Sequence, residues 1–115
     1  MDIIIGKRGY GKTTKLIRRS ADENLYILVA TRQRAFQVAQ MATEIGLSIP
    51  FPVTVDEYLS GYKFRGSSIR RDGLLIDDAD DVLKVIFYGI PIKEITITDR
   101  DEVGSCIRYL PNPEE

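Results

Sequence analysis

A glycine-rich segment directly after a β-branched run constrains the fold of this chain more than any other feature. Residues 6–13 read Gly-Lys-Arg-Gly-Tyr-Gly-Lys-Thr, which fits G-x-x-x-x-G-K-[ST] without a mismatch. The run 2–5 before it is typical of a buried strand, and residues 12–19 after it predict a helix. A strand, a tight loop and a helix in this order predict a phosphate-binding loop, in which backbone N–H groups bind the phosphate oxygens.

Individual residues of this segment have predicted roles at a nucleotide. The glycines let the backbone approach oxyanions closely. Lys12 is expected to reach the β- and γ-phosphates, and the Thr13 hydroxyl to bind Mg²⁺. The predicted phosphate-binding residues are Gly6, Gly9, Gly11, Lys12, Thr13 and Thr14. The alternative is a glycine-rich turn that carries Lys-Thr by chance.

A second candidate site follows the apolar run 74–76, which predicts a buried strand. Asp77 at its end is the predicted partner of Thr13 in binding Mg²⁺, directly or through water, because Mg²⁺ prefers carboxylate oxygen and keeps much of its hydration. Asp78 is the predicted catalytic base for an attacking water, with Lys12 as the other catalytic residue. The alternative is an acidic cap on the next helix, formed by Asp77, Asp78, Asp80 and Asp81 and favoured by the helix dipole.

The remaining hydrophobic pattern alternates strands and helices. Strands are predicted over residues 2–5, 25–30, 53–55, 74–76 and 95–98. Helices are predicted over residues 12–19, 33–45, 56–59 (one turn) and 80–88, and a loop over 61–72. Thr31 is the expected cap of the helix 33–45, whose apolar stripe includes Phe36, Val38, Ala39, Met41, Ala42 and Ile45. This order predicts an α/β fold with a mainly parallel sheet of about five strands.

Length and composition limit what else the chain can be. Its 115 residues predict a single domain over residues 1–110 and a frayed tail over 111–115. It has no histidine and one cysteine, which excludes histidine-dependent triads and metal sites built from cysteine or histidine. No apolar run approaches the roughly 18 residues of a membrane span, so no membrane partner and a cytoplasmic location are expected. The net charge of −1 does not by itself indicate a nucleic-acid partner.

Taken in order, these segments resemble the first motor domain of superfamily 1 DNA helicases. Residues 6–13 are similar to motif I and residues 75–80 to motif II. Three weaker similarities link residues 28–35 to motif Ia, 53–59 to the threonine-containing segment and 95–99 to the strand before motif III. The resemblance implies a P-loop NTPase three-layer sandwich, with ATP and Mg²⁺ as cofactors. It also implies that strand 95–98 inserts between strands 2–5 and 74–76, with Thr96 or Thr98 at the site. A two-sided strand with solvent-facing threonines is the alternative.

A nucleic-acid surface is predicted from the basic stretch 62–71, where aromatic residues alternate with cations. Cations could follow the phosphates of single-stranded DNA while Tyr62 or Phe64 stacks on bases. By the resemblance to motif Ia, Arg32 and Arg34 extend this surface. The predicted contacts are Arg32, Arg34, Lys63, Arg65, Arg70 and Arg71. The alternative is an exposed loop that balances nearby acids, and on a slightly acidic chain any DNA binding should be weak and salt-dependent.

Three departures from the helicase pattern shape the functional expectation. Asp78 stands where the family has a longer glutamate, and Thr98-Asp99-Arg100-Asp101 replaces the usual G-D-x-x-Q. The resemblance covers one motor domain only, so we expect arginine fingers to come from a second copy or a protein partner. We therefore expect a slow Mg²⁺-dependent ATPase that acts with nucleic acid or a nucleic-acid-processing partner. A non-hydrolysing, nucleotide-gated regulatory module and a small-molecule kinase remain as alternatives.

Overall fold

The computed structural model of the chain describes residues 1–7, 9, 11–61 and 68–98, and the backbone of 107–109. The strands are β1 (Ile3–Ile5), β2 (Ile27–Val29), β3 (Val53–Thr54), β4 (Leu75–Ile76) and β5 (Ile107–Tyr109). The helices are α1 (Lys12–Glu23), α2 (Arg32–Glu44), α3 (Val55–Ser60), α4 (Ser68–Asp72) and α5 (Ala79–Ile86). Every strand pair within these ranges is parallel, so the α/β class with parallel strands is confirmed.

The chain divides into two compact units. The first consists of Met1–Lys12 and Ile92–Glu115, and the second of Thr13–Pro91. In the first unit β1 pairs with β5, with Ile3 opposite Ile107. β1 is half-buried at Ile3 and Ile4 and exposed at Ile5, less buried than its apolar sequence predicts. A single domain over residues 1–110 stays a prediction.

The second unit is built on a three-stranded sheet in the order β3-β2-β4. β2 is its central strand, with Leu28 opposite Val53 on one side and Ile76 on the other. All three residues of β2 are buried, as its continuous apolar sequence predicts for a strand covered on both faces.

Helices cover both faces of this sheet. Ile27 and Val29 of β2 pack with Ile17 of α1 and Val38 of α2 in one core cluster. Leu28 points the other way, because successive strand residues face opposite sides. It packs in a second cluster with Val53, Val55, Ile69 and Val82, the last three of which come from α3, α4 and α5.

Polar caps set the starts of two helices. The side chain of Thr31 accepts a hydrogen bond from the backbone N–H of Arg34, so the predicted cap of α2 is confirmed. Thr54 and Glu57 form a reciprocal capping box at the start of α3. No helix within the described ranges is long and apolar enough to cross a membrane.

The predicted strand over residues 95–98 is wrong. These residues have no regular secondary structure and belong to no sheet, and Ile95 and Ile97 are 62% and 51% exposed. Their Ile-Thr alternation is typical of a half-buried strand, but a strand also needs a backbone partner and a covering layer. In the first unit β5 provides the partner of β1 instead. Thr96 and Thr98 are therefore exposed residues of an irregular segment, while residues 99–101 and the predicted tail lie outside the described residues.

Two further expectations also need correction. The predicted loop over 61–72 contains the helix α4, whose Ile69 is buried and anchors it in the core. Residues 62–67 of that stretch lie outside the described part of the chain. In α2 the buried residues are Ala35, Val38 and Ala42, whereas Phe36 and Ile45, expected in the apolar stripe, are exposed.

Candidate functional site

The second unit brings Thr13 and Asp77 together, although they are 64 residues apart in the sequence. The backbone N–H of Asp77 donates to the carbonyl oxygen of Leu28 at 3.0 Å, which holds the residue at the end of β4 beside β2. Thr13 lies in the first turn of α1. Its Oγ1 donates to Asp77 Oδ1 at 2.8 Å, so the two predicted metal ligands are in direct contact.

A third residue, Arg34 of α2, completes this cluster. Its Nε donates to Asp77 Oδ2 at 2.9 Å and its Nη2 donates to Thr13 Oγ1 at 2.9 Å. Its Nη1 donates to Gln37 Oε1 at 3.2 Å. The guanidinium therefore engages both predicted metal ligands at once.

The burial of this cluster is asymmetric. The Asp77 side chain is 3% exposed, whereas that of Arg34 is 34% exposed. Both carboxylate oxygens of Asp77 accept a hydrogen bond, and no buried side-chain polar atom in the described part of the chain lacks a partner. A buried charge of this kind is tolerated because it is paired and fully hydrogen-bonded.

The donor set of Thr13 and Asp77 fits Mg²⁺. Both supply hard oxygen atoms, and adjacent ligands of an octahedral Mg²⁺ lie about 3 Å apart, since Mg–O distances are about 2.1 Å. The separation of Thr13 Oγ1 and Asp77 Oδ1, 2.8 Å, is close to this value. In the described residues, no group of three or more acidic, histidine or cysteine side chains is arranged so that it could hold a metal ion. The pair thus suits a metal that takes its other ligands from phosphate and water.

Asp78 has a different environment from Asp77. It is exposed, precedes α5, and has a left-handed backbone with φ 56° and ψ 74°. Partial burial of its carboxyl group, followed by the charges of Asp81 and Asp80, raises its pKa to about 6. Its side chain makes no capping bond to α5, whereas Asp80 and Asp81 lie in the first turn, where the helix dipole favours acids.

In the first unit, the loop residues adopt conformations that suit their predicted role. Gly9 and Gly11 have φ of 81° and 86°, which favours glycine, and apart from their chain neighbours no residue lies within 4 Å of a Cβ built at either position. Lys12 Nζ donates to the carbonyl oxygen of Lys7 at 2.6 Å. Gly6 is half-buried in this unit, and Thr14 is half-buried in the second.

The predicted nucleic-acid residues are distributed over several elements. Arg32 is exposed and its guanidinium lies 5.9 Å from the ring centre of Phe36. Arg34 is instead held by Asp77 and Thr13. Arg70 and Arg71 are exposed on α4, where Arg71 pairs with Asp72 at 3.0 Å. Lys63 and Arg65 lie outside the described residues.

Sequence reasoning missed an exposed aromatic pair. The rings of Phe36 and Phe51 meet edge to face, with centroids 5.4 Å apart, although the residues are 55% and 53% exposed. The spacing of Ala35, Val38 and Ala42 defines the buried stripe of α2, and Phe36 lies off that stripe. Its position was therefore readable from the sequence, whereas its contact with Phe51 was not.

No protein-family model, no curated protein and no solved structure matches this chain.

Proposed function

We propose that the chain is an ATP-binding P-loop protein, a minimal helicase-like motor domain that hydrolyses ATP slowly with Mg²⁺ and acts with nucleic acid or a nucleic-acid-processing partner. The contact between Thr13 and Asp77 carries this proposal, because it joins the last residue of the glycine-rich motif to the acid that ends an apolar strand. That pairing supplies the two oxygen ligands which a nucleotide-bound Mg²⁺ takes from protein.

Each residue has a defined part in this proposal. The loop glycines and Lys12 bind the phosphates, and Thr13 and Asp77 hold the metal. Mg²⁺, when bound, neutralises charge that develops on the phosphates. Asp78 accepts a proton from the attacking water, and its pKa of about 6 leaves it mostly ionised at neutral pH.

Nucleotide binding is tested by calorimetric titration of Mg·ATP into the wild type and Lys12→Ala. We expect Lys12→Ala to lose at least about 100-fold in affinity, because charge-assisted contacts to phosphate are lost. Lys15→Ala is the matched control, since Lys15 is exposed on the same helix and its replacement removes the same charge. Retained affinity in Lys12→Ala would contradict the assignment of the phosphate site.

Hydrolysis is tested with Asp78→Asn in a steady-state phosphate-release assay. Loss of a general base typically lowers turnover by about 10²–10⁴-fold, with Mg·ATP binding retained. Asp22→Asn, which removes an exposed acid of α1, serves as the control. Equal turnover in wild type and Asp78→Asn would show that Asp78 is not the base.

A second candidate function is a nucleotide-gated module that binds ATP without hydrolysing it. The environment of Asp78 favours this candidate, because its carboxyl group interacts with Asp81 and Asp80. It is also one methylene shorter than the glutamate of the helicase pattern. Tight Mg·ATP binding without measurable phosphate release would support this second function over the first.

The nucleic-acid part of the proposal is supported by the surface formed by Arg32, Phe36 and Phe51. Exposed rings beside a guanidinium can stack on the bases of single-stranded DNA, and each stacked base contributes about 1–3 kcal/mol. Phe51→Ala should therefore weaken binding of a fluorescent oligothymidine about 5- to 150-fold in an anisotropy titration. Tyr88→Ala removes an exposed ring elsewhere on the second unit and should leave the affinity unchanged. Equal affinities of Phe51→Ala and wild type would remove this surface from the proposal.

A further inference from the structure

Arg34 contacts both residues that the proposed function assigns to Mg²⁺, and it shares the Thr13 hydroxyl oxygen with the proposed metal site. Its Nε is 2.9 Å from Asp77 Oδ2, and its Nη2 is 2.9 Å from Thr13 Oγ1. The resemblance to helicase motif Ia gives this arginine a different role, in contact with DNA. Its observed partners are instead the metal-binding pair.

We propose that Arg34 is an internal competitor of the divalent cation. In the nucleotide-free chain its guanidinium neutralises Asp77, and it leaves that carboxylate when Mg·ATP binds. This inference rests on the proposed function, because it assigns Thr13 and Asp77 to the metal.

Burial explains why Asp77 needs a resident cation. At 3% exposure its carboxylate is almost inaccessible to water, so without a counter-charge the folded chain would contain a buried, unneutralised anion. The guanidinium provides that charge, with one hydrogen bond to Asp77 and one to Thr13. A metal on Thr13 Oγ1 and Asp77 Oδ1 would share the hydroxyl and the carboxylate group with the guanidinium. Two cations this close repel each other strongly, so the guanidinium and Mg²⁺ exclude each other.

Exposure and a further partner explain how Arg34 can leave. One third of its side chain is open to solvent, so its charge can move into water without a change in the core. Its Nη1 already donates to Gln37 Oε1, one turn along α2, and Gln37 is itself exposed. Release therefore exchanges the two contacts to Asp77 and Thr13 for water, while the contact to Gln37 can persist.

This competition has a thermodynamic consequence for the ligand. Nucleotide affinity is reduced by the fraction of molecules in which Arg34 occupies the metal ligands. Removal of the guanidinium should therefore tighten Mg·ATP binding, the opposite of what is expected if Arg34 contacts phosphate. The same reasoning predicts that the wild type requires more Mg²⁺ than the variant for half-maximal nucleotide binding.

The test compares the wild type, Arg34→Gln and Arg34→Lys by calorimetric titration of Mg·ATP, below the unfolding temperature of each protein. We expect about tenfold tighter binding for Arg34→Gln and an intermediate value for Arg34→Lys. Arg18→Gln is the control, because it removes an exposed arginine from α1 without touching Asp77. Unchanged or weaker binding in Arg34→Gln overturns the competition while leaving the proposed function intact.

A spectroscopic measurement separates this proposal from the proposed function. In the wild type, the Nε–H of Arg34 should give a protected signal in ¹H–¹⁵N spectra, and Mg·ATP should remove that protection. Persistence of the protected signal at saturating Mg·ATP contradicts the proposal. If Arg34→Gln binds Mg·ATP and the wild type does not, the competition is supported, and Arg34 then blocks Mg·ATP binding completely in the wild type. If neither protein binds Mg·ATP, the proposed function and this inference both fail.

Discussion

Asp77 and the acidic turn, residues 78–81, are adjacent in the chain, but their charges meet opposite surroundings. Asp77 is buried and both of its carboxylate oxygens accept hydrogen bonds, one from Thr13 and one from Arg34. Asp78 is exposed and its strongest electrostatic neighbours are the acids Asp81 and Asp80.

The backbone produces this difference. At Asp77 the N–H still bonds to the carbonyl oxygen of Leu28, so the side chain keeps the direction that the sheet imposes. At Asp78 φ becomes positive and the chain leaves the sheet for α5. Two chemically identical side chains one position apart therefore have different physical roles, and the end of the strand decides which acid is paired.

The largest expected effect comes from breaking the pair at Asp77. Arg34→Met leaves the Asp77 carboxylate buried with one hydroxyl donor, and we expect a loss of about 2–3 kcal/mol in the free energy of unfolding. The double variant Arg34→Met/Asp77→Leu removes both charges and should recover most of that loss, since a buried pair can often be replaced by apolar residues.

Urea denaturation of the wild type, both single variants and the double variant forms a thermodynamic cycle that measures this coupling. Arg32→Met, which removes an exposed guanidinium near the ring of Phe36, should cost about 0.5–1 kcal/mol. A coupling near zero between Arg34 and Asp77 would contradict the burial argument.

A smaller effect of opposite sign is expected in the acidic turn. Asp78→Asn removes one of three neighbouring negative charges, and asparagine tolerates the left-handed conformation at φ 56°. Because Asp78 is largely exposed, solvent screens the repulsion, and we expect stabilisation of about 1 kcal/mol at pH 7. Thermal unfolding measures this change, and a decrease in the melting temperature would contradict it.

The stability gained by Asp78→Asn is expected to depend on pH. The pKa of Asp78 is about 6 in the folded chain against an ordinary value of 3.8, so between these values the folded state binds more protons than the unfolded state. The contribution of Asp78 to stability therefore falls as pH rises through this window. The advantage of Asp78→Asn over the wild type should grow from pH 4 to pH 7, and denaturation at several pH values would show it. An advantage that is constant with pH would exclude the charge effect.

The smallest effect is expected at the exposed pair of Arg71 and Asp72 on α4. Their contact at 3.0 Å lowers the pKa of the Asp72 carboxyl through a hydrogen bond, but both groups are open to water. Exposed pairs contribute little because solvent and salt screen them. Arg71→Gln should leave the melting temperature unchanged within error. A clear decrease would mean that solvent screens this exposed pair less than its exposure predicts.

Local signals predicted most of the second unit. The buried strand β2 follows from a continuous apolar run, and α2 follows from its cap at Thr31 and its apolar stripe, although Phe36 and Ile45 of that stripe are exposed. The contact of Thr13 with Asp77 was expected from two motifs, because the helicase pattern links them. Neighbouring residues carry the signals for β2, α2 and each motif, whereas the pairing of the two motifs, 64 residues apart, comes from the helicase resemblance.

Non-local contacts were predicted less well. Residues 95–98 have the alternation of a strand, but β1 pairs with β5 instead, and alternation does not reveal which strands meet. The position of Arg34 depends on the direction of a long, flexible side chain toward an acid 43 residues away. Neither spacing nor composition specifies that direction.

The pairing of β1 with β5 also has a consequence for the order of folding. Ile3 lies opposite Ile107, so this contact closes a loop that includes all of the residues between the two strands. Such closure costs more conformational entropy than the local contacts of the helices, and non-local parallel pairing is slow. During synthesis β1 emerges from the ribosome well before its partner β5. We therefore expect β1 to pair with β5 late in folding, after the helices have formed.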